Sequence, residues 1–135
     1  MKQKSIVIFG NPGSGKTSIS KGIASDYKRD EVVGIYSRNR RAHEDPFIFG
    51  RCTPNTKLVI YEEIMDIKQL VEFLSLISNP ITVNKKGEWP FVIDPMFVLI
   101  CSDNIVADQI EALDVSILGR FDVLECKHLS FPAVV

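Results

Sequence analysis

Five short apolar runs punctuate the chain: SIVIFG (5–10), VVGIY (32–36), KLVIY (57–61), MFVLIC (96–101) and FDVLEC (121–126). Each is near-continuously apolar instead of alternating, the pattern of a strand buried on both faces, and turn residues bound each one. Together they predict a five-stranded parallel sheet. Between them, apolar positions recur at helical spacing over residues 17–27. They do so again over DIKQLVEFLSLI, where Ile67, Leu70, Val71, Leu74 and Ile77 share a face, and over NIVADQIEAL. Asp66 and Asn104 are placed to cap the last two helices. Strands alternating with helices predict an α/β three-layer sandwich with its ligand at the carboxyl ends of the strands. No internal repeat, low-complexity tract or linker is visible, so residues 1–135 read as one domain.

Two segments break the alternation. SRNRRAHEDP (37–46) gathers Arg38, Arg40 and Arg41; it reads first as a solvated loop, with phosphate or nucleic-acid contact as the alternative. ITVNKKGEWPFVI (81–93) reads as two extended arms around NKKG, a β-hairpin insertion carrying Lys85 and Lys86 at its tip. Trp89 beside them fits a core-packing role more readily than stacking on a base.

Composition changes the picture only by exclusion. With 135 residues, 45% hydrophobic and 24% charged, the chain is an ordinary globular one. No apolar stretch approaches the roughly 18 residues of a spanning helix, and the start has no signal-peptide pattern. The protein is expected to stay in the cytoplasm, bacterial or of an infected host cell, with no membrane partner. Cys52, Cys101 and Cys126 are odd in number and widely spaced, which fits a reducing interior and no zinc site. The net charge of −1 means that affinity for nucleic acid has to come from a local basic patch.

The chemistry starts at GNPGSGKT (10–17), where Gly10, Gly15, Lys16 and Thr17 fit G-x-x-x-x-G-K-[ST]. That spacing describes a loop of backbone N–H groups turned inward at phosphate oxygens, with glycines to let the backbone approach. The loop, Gly10, Asn11, Pro12, Gly13, Ser14, Gly15, Lys16, Thr17 and Ser18, sits between a strand and a helix whose dipole adds positive potential. Lys16 can reach the β- and γ-phosphates of ATP, and the Thr17 hydroxyl can ligate Mg²⁺.

Three further features fit that site. TKLVIYEEI ends an apolar strand in Glu62 and Glu63, one acid for the Mg²⁺ shell and one for the attacking water. PMFVLICSDN ends another in Ser102, Asp103 and Asn104, where an amide can touch the γ-phosphate or the water. SILGRFDVLEC sets Arg120 between a helical stretch and the last strand, free to meet a neighbouring copy's γ-phosphate or to pair locally with Asp114 or Asp122.

The order GNPGSGKT, LVIYEEI, SNP, ITVNKKG, PMFVLICSDN, GRF resembles the ATPase core of superfamily 3 helicases of the AAA+ class, over about residues 4 to 126. The nearest likeness is to the helicase domains of viral, phage and plasmid replication initiators. The resemblance implies a P-loop NTPase fold and the metal role for Glu62. It implies the base role for Glu63, the sensor role for Asn104 and a finger role for Arg120, beside Lys16. Lys85 and Lys86 would hold single-stranded DNA in a pore. It implies, too, a homo-oligomeric ring, a hexamer among the options, working with replication proteins. Two other classes stay open on the residues alone. One is a monomeric nucleotide kinase with Arg38, Arg40 and Arg41 as a lid. The other is a nucleotide-gated binding factor without turnover. DNA and RNA are both open as the polymer.

Overall fold

A computed structural model describes residues 5–10, 15–36, 49–78, 80–102 and 104–126. β1 (Ser5–Gly10) leads to α1 (Lys16–Ala24), and β2 (Val32–Tyr36) is followed by β3 (Leu58–Ile64) and α2 (Ile67–Leu76). β4 (Ile81–Val83) and β5 (Phe91–Ile93) precede β6 (Met96–Cys101), the short helices α3 (Ala107–Glu111) and α4 (Val115–Leu118), and β7 (Phe121–Cys126). Five strands form a parallel sheet in the order β2-β3-β6-β1-β7, and β4 pairs with β5 in a separate antiparallel ribbon.

Position in the sheet explains the composition of each strand. β6 is flanked on both sides and covered on both faces, and all six of its residues are buried. Alternate side chains sort into two cores. Val7, Phe9, Val59, Tyr61, Phe97 and Leu99 meet α2 through Leu70, Phe73 and Leu74. Ile8, Leu58, Ile60, Val98 and Ile100 meet Ile19 and Ile23 of α1 on the other face. Phe73 anchors the first core, its ring centroid 4.1 Å from that of Tyr61 and 6.2 Å from that of Phe97. Burying such a side chain is worth about 1.5–3 kcal/mol.

β7 departs from the expectation of strands buried on both faces. It is an edge strand, and its four central residues are exposed. The helix expected over 104–113 is also shorter, Ala107–Glu111, with the separate α4 after it. Asn104 lies in a turn, and Val106 is the N-cap of α3, its N–H donating to Gln109 Oε1 at 3.0 Å. The physical reason is that Ser102 holds the preceding turn while Ile105, 1% exposed, is drawn into the core before the helix begins. Asp114 then caps α4 through the Ser116 N–H. Asp66 does cap α2, accepting from Gln69 N at 2.8 Å.

The hairpin inserts Ile81, Val83 and Ile93 into the first core and leaves Thr82 and Val92 outside. At its tip Glu88 N donates to Lys85 O at 3.1 Å across a turn in which Gly87 has φ +80°. Trp89 stands beyond the arms and is 92% exposed, which corrects its expected place in the core.

Candidate functional site

Parallel strands deliver their carboxyl ends to one edge, and there the structure brings together the ends of β1, β3 and β6. Lys16, the first residue of α1, reaches back over this edge. Its Nζ donates to the carbonyl oxygens of Gly10 at 2.9 Å and Cys101 at 3.1 Å, the last residues of β1 and β6. Burial pushes the Cys101 thiol up to about 12, so it stays protonated and the main-chain carbonyl is the partner Lys16 finds there. Gly15 caps α1 with φ +91°, a left-handed backbone that glycine adopts without strain. Thr17 and Ser18 begin the helix and are exposed. Asn11, Pro12, Gly13, Ser14, Asp103, Arg38, Arg40 and Arg41 lie outside the described residues.

β3 and β6 are neighbours, and β6 intervenes between β3 and β1. The acid pair therefore belongs to the second strand from the loop-bearing β1. The acids also lie within β3, which runs to Ile64, beyond the expected end at residue 61. The pairing of β3 with β6 is regular from Leu58↔Met96 to Tyr61↔Leu99, then slips, so that Ile64 stands opposite Cys101. Three steps along β3 match two along β6, which is a bulge at Glu62 and Glu63. Its effect shows in burial: Val59 and Tyr61 face the α2 core, and Ile64 faces it as well. A regular strand would have put Ile64 on the α1 side. Glu62 is half-buried and pairs with Tyr36 of β2; for Glu63 only the backbone is described.

Directly after the bulge the chain is pinned. Ser102 N donates to Ile64 O at 2.8 Å, and Ser102 Oγ donates to Met65 O at 3.0 Å. Gln69 Oε1 accepts from Met65 N at 2.7 Å. Ser102 Oγ also accepts from Asn104 N at 3.4 Å, and Ser102 O from Ile105 N at 3.2 Å. Gln69 is 5% exposed, and its Nε2 has no acceptor. Leaving a buried donor unpaired costs about 1–3 kcal/mol. Sequence reasoning passed over Gln69, although Asp66-x-x-Gln69 has the spacing of a capping box.

Two groups stand apart from this edge. Arg120 immediately precedes Phe121, which pairs with Ser5 at the opposite end of β1 from Gly10. Five residues of strand separate the two ends, roughly 17 Å. Arg120 is exposed and lines a cavity of about 210 Å³ with Val71, Leu74, Ser75, Ile117 and Phe121. Among the described residues no ion pair joins it to Asp114 or Asp122. The hairpin is rooted at the same end, since only Asp94 and Pro95 separate β5 from the start of β6. Lys85 is half-buried with its Nζ 5.6 Å from the centroid of Phe91, and Lys86 is exposed.

No family model matches the chain, and no curated protein sequence does. Solved structures do. The C-terminal region of NrS-1, in an apo form, matches with a TM-score of 0.63 at 16% identity, over 94% of this chain and 29% of that one. JCV helicase, with a thiazolopyridine compound bound, matches with a TM-score of 0.58 at 13% identity, over 96% of this chain and 38% of that one. The chain shares its fold with these two solved structures. At these identities the likeness is one of fold, and this chain spans 29% and 38% of the two structures. The five-stranded parallel sheet with its hairpin is the α/β architecture that the alternation of strands and helices predicted. Among the described residues no helix is long and apolar enough to cross a membrane.

Proposed function

We propose that this chain binds ATP with Mg²⁺ and hydrolyses it while acting on single-stranded DNA, as part of a replication machine of a phage or mobile element. The observation that carries the reading is the Lys16 ammonium at the meeting point of the β1 and β6 ends, on a helicase fold. The site fits the nucleotide: a cation, an open left-handed glycine and a helix start converge on the edge where β3 brings its acids.

In this reading Lys16 exchanges its carbonyl partners for β- and γ-phosphate oxygens, and the backbone of residues 10–15 with Gly13, Ser14 and Thr17 cradles the rest. Thr17 and Glu62 would hold Mg²⁺ in the manner usual for that ion, one or two protein oxygens beside the phosphates. When bound, the ion supplies neutralisation of charge between the β- and γ-phosphates. Glu63 takes the proton of the attacking water, and Asn104 orients that water. Arg120, remote from its own loop, serves a neighbouring copy in a ring. Lys85 and Lys86 contact the strand.

The test is ATP hydrolysis by the purified chain with and without single-stranded DNA, alongside Glu63→Gln. Hydrolysis raised by DNA and lowered on the order of 10²- to 10⁴-fold in Glu63→Gln, with ATP binding kept, supports the proposal. Turnover indifferent to DNA, with transfer of phosphate to a small acceptor, would favour a kinase; binding with no turnover would favour a gated binding factor.

A further inference from the structure

We infer that Ser102 and Gln69 are positioning residues that fasten the acid-bearing bulge of β3 to the Asn104 turn, so that base and sensor are held as one unit. The inference rests on the ATP-hydrolysing reading above. It starts from the three polar atoms that follow the bulge. Ile64 O, Met65 N and Met65 O are all taken, the first and third by Ser102 and the second by Gln69. A hydroxyl can donate once and accept besides, and Ser102 does both, giving its proton to Met65 O and receiving the Asn104 N–H. A single side chain therefore touches the backbone of the acid strand and the backbone of the sensor residue.

Bulges bend a strand and leave a residue without its ladder partner, so the direction of their side chains depends on what clamps the strand beyond them. Here the clamp comes from β6, the strand that also supplies a carbonyl to Lys16. Gln69 completes it from the first turn of α2. Its amide group is buried with the NH₂ unsatisfied, and methionine would fill similar space without that loss. The polar group is worth keeping for the acceptor it offers to Met65 N. In a reaction where small misplacement of a base costs large factors in rate, such a clamp acts on kcat and leaves nucleotide affinity alone.

The experiment measures kcat, KM, ATP affinity by calorimetry and the thermal unfolding midpoint for the parent and for Ser102→Ala, Ser102→Thr, Gln69→Met and Ser102→Ala combined with Glu63→Gln. Ser102→Ala and Gln69→Met are expected to lower kcat at least tenfold with KM and ATP affinity within twofold of the parent. Ser102→Thr, which keeps the hydroxyl, is expected to retain most of kcat. Because Ser102 acts through the base, adding Ser102→Ala to Glu63→Gln should cost nothing further. Parent-like kcat in Ser102→Ala, or losses that multiply in the double variant, would overturn the clamp alone. A parent chain that binds ATP and never hydrolyses it would overturn the ATPase reading and the clamp with it.

Discussion

Gly10 and Cys126 pair at the carboxyl ends of β1 and β7 so closely that a Cβ on Gly10 would collide with the Cys126 main-chain carbonyl. A backbone carbonyl in a sheet cannot step aside as a side-chain tip can. Gly10→Ala is therefore expected to destabilise the chain by about 1–3 kcal/mol through overpacking. It should also weaken ATP binding, because residue 10 opens the loop. Gly15 has open space around its α-carbon and only its positive φ to defend, so Gly15→Ala should cost about 1 kcal/mol. Urea unfolding of both variants separates the two; equal costs would mean that the sheet gives way at Gly10.

β1 and α1 were legible because their signals are local: an apolar run and a helical face within 20 residues. The Asp66 cap was legible for the same reason. The bulge at Glu62 and Glu63 was not, because nothing in LVIYEEI marks it; it exists only relative to β6, some 38 positions away in sequence. Strand order was hidden likewise, since apolar runs declare burial and not neighbours. FDVLEC reads as a strand buried on both faces, yet β7 is an edge whose four central residues are exposed. Trp89 misled because large aromatics are usually core residues, whereas it stands in the connection between the paired arms among exposed neighbours.

Glu31 and Lys57 define the acid and alkaline limits of one corner of the fold. Lys57 Nζ lies 2.8 Å from Glu31 Oε2, and Lys28 N donates to Glu31 Oε1 at 2.8 Å. The hydrogen bond from Lys57, then that from the Lys28 N–H, lowers the Glu31 carboxyl from its ordinary value of 4.5. A lowered acid contributes stability that is complete above its unfolded value and is lost as pH falls through its folded one. Lys57 is raised by the same partner, so its share is complete below its unfolded value and is lost as pH rises through its folded one. Thermal unfolding of Glu31→Gln against pH should show a flatter acid limb than the parent. Parallel acid limbs would exclude the pair as a source of the pH dependence.

Trp89 is the single tryptophan of the chain and is 92% exposed, which makes it a reporter for the hairpin tip. Its emission is expected to be quenched by a single-stranded oligonucleotide. Lys85 is drawn toward Phe91, so Lys86 should dominate contact with phosphates. Lys86→Ala should lower the slope of log affinity against log salt by about 0.7, one phosphate contact on a single strand. Trp89→Ala, followed by anisotropy of labelled DNA, should weaken binding by about 1–3 kcal/mol without changing that slope. An unquenched Trp89 together with a parental slope in Lys86→Ala would remove the hairpin from the binding surface.

Arg120 sits at the end of the sheet away from Lys16, so the proposed function assigns it to the nucleotide of a neighbouring copy. Arg120→Ala and Lys16→Ala are each expected to abolish hydrolysis, with losses for the arginine on the order of 10³- to 10⁵-fold. Mixed together, the two dead variants should regain part of the activity, because some interfaces then join an intact arginine to an intact loop. Mixtures that co-assemble and stay inactive would rule out action between copies.

The slip in β3 sets a rule for which sequence changes this chain tolerates. Between Tyr61 and Ile64 the chain holds one residue more than the two steps of β6 opposite require, and Ile64 is nonetheless fully buried under α2. Either acid can be exchanged for glutamine or alanine and the strand still leaves toward α2 with its apolar residues inward. Deleting one of them would leave two steps opposite two, so a regular ladder would still seat Ile64 on the α2 side, without the bulge. Divergent copies of this fold can thus carry either one residue or two between the positions of Tyr61 and Ile64, and a one-residue gap there marks loss of the bulge with the core side of the strand unchanged.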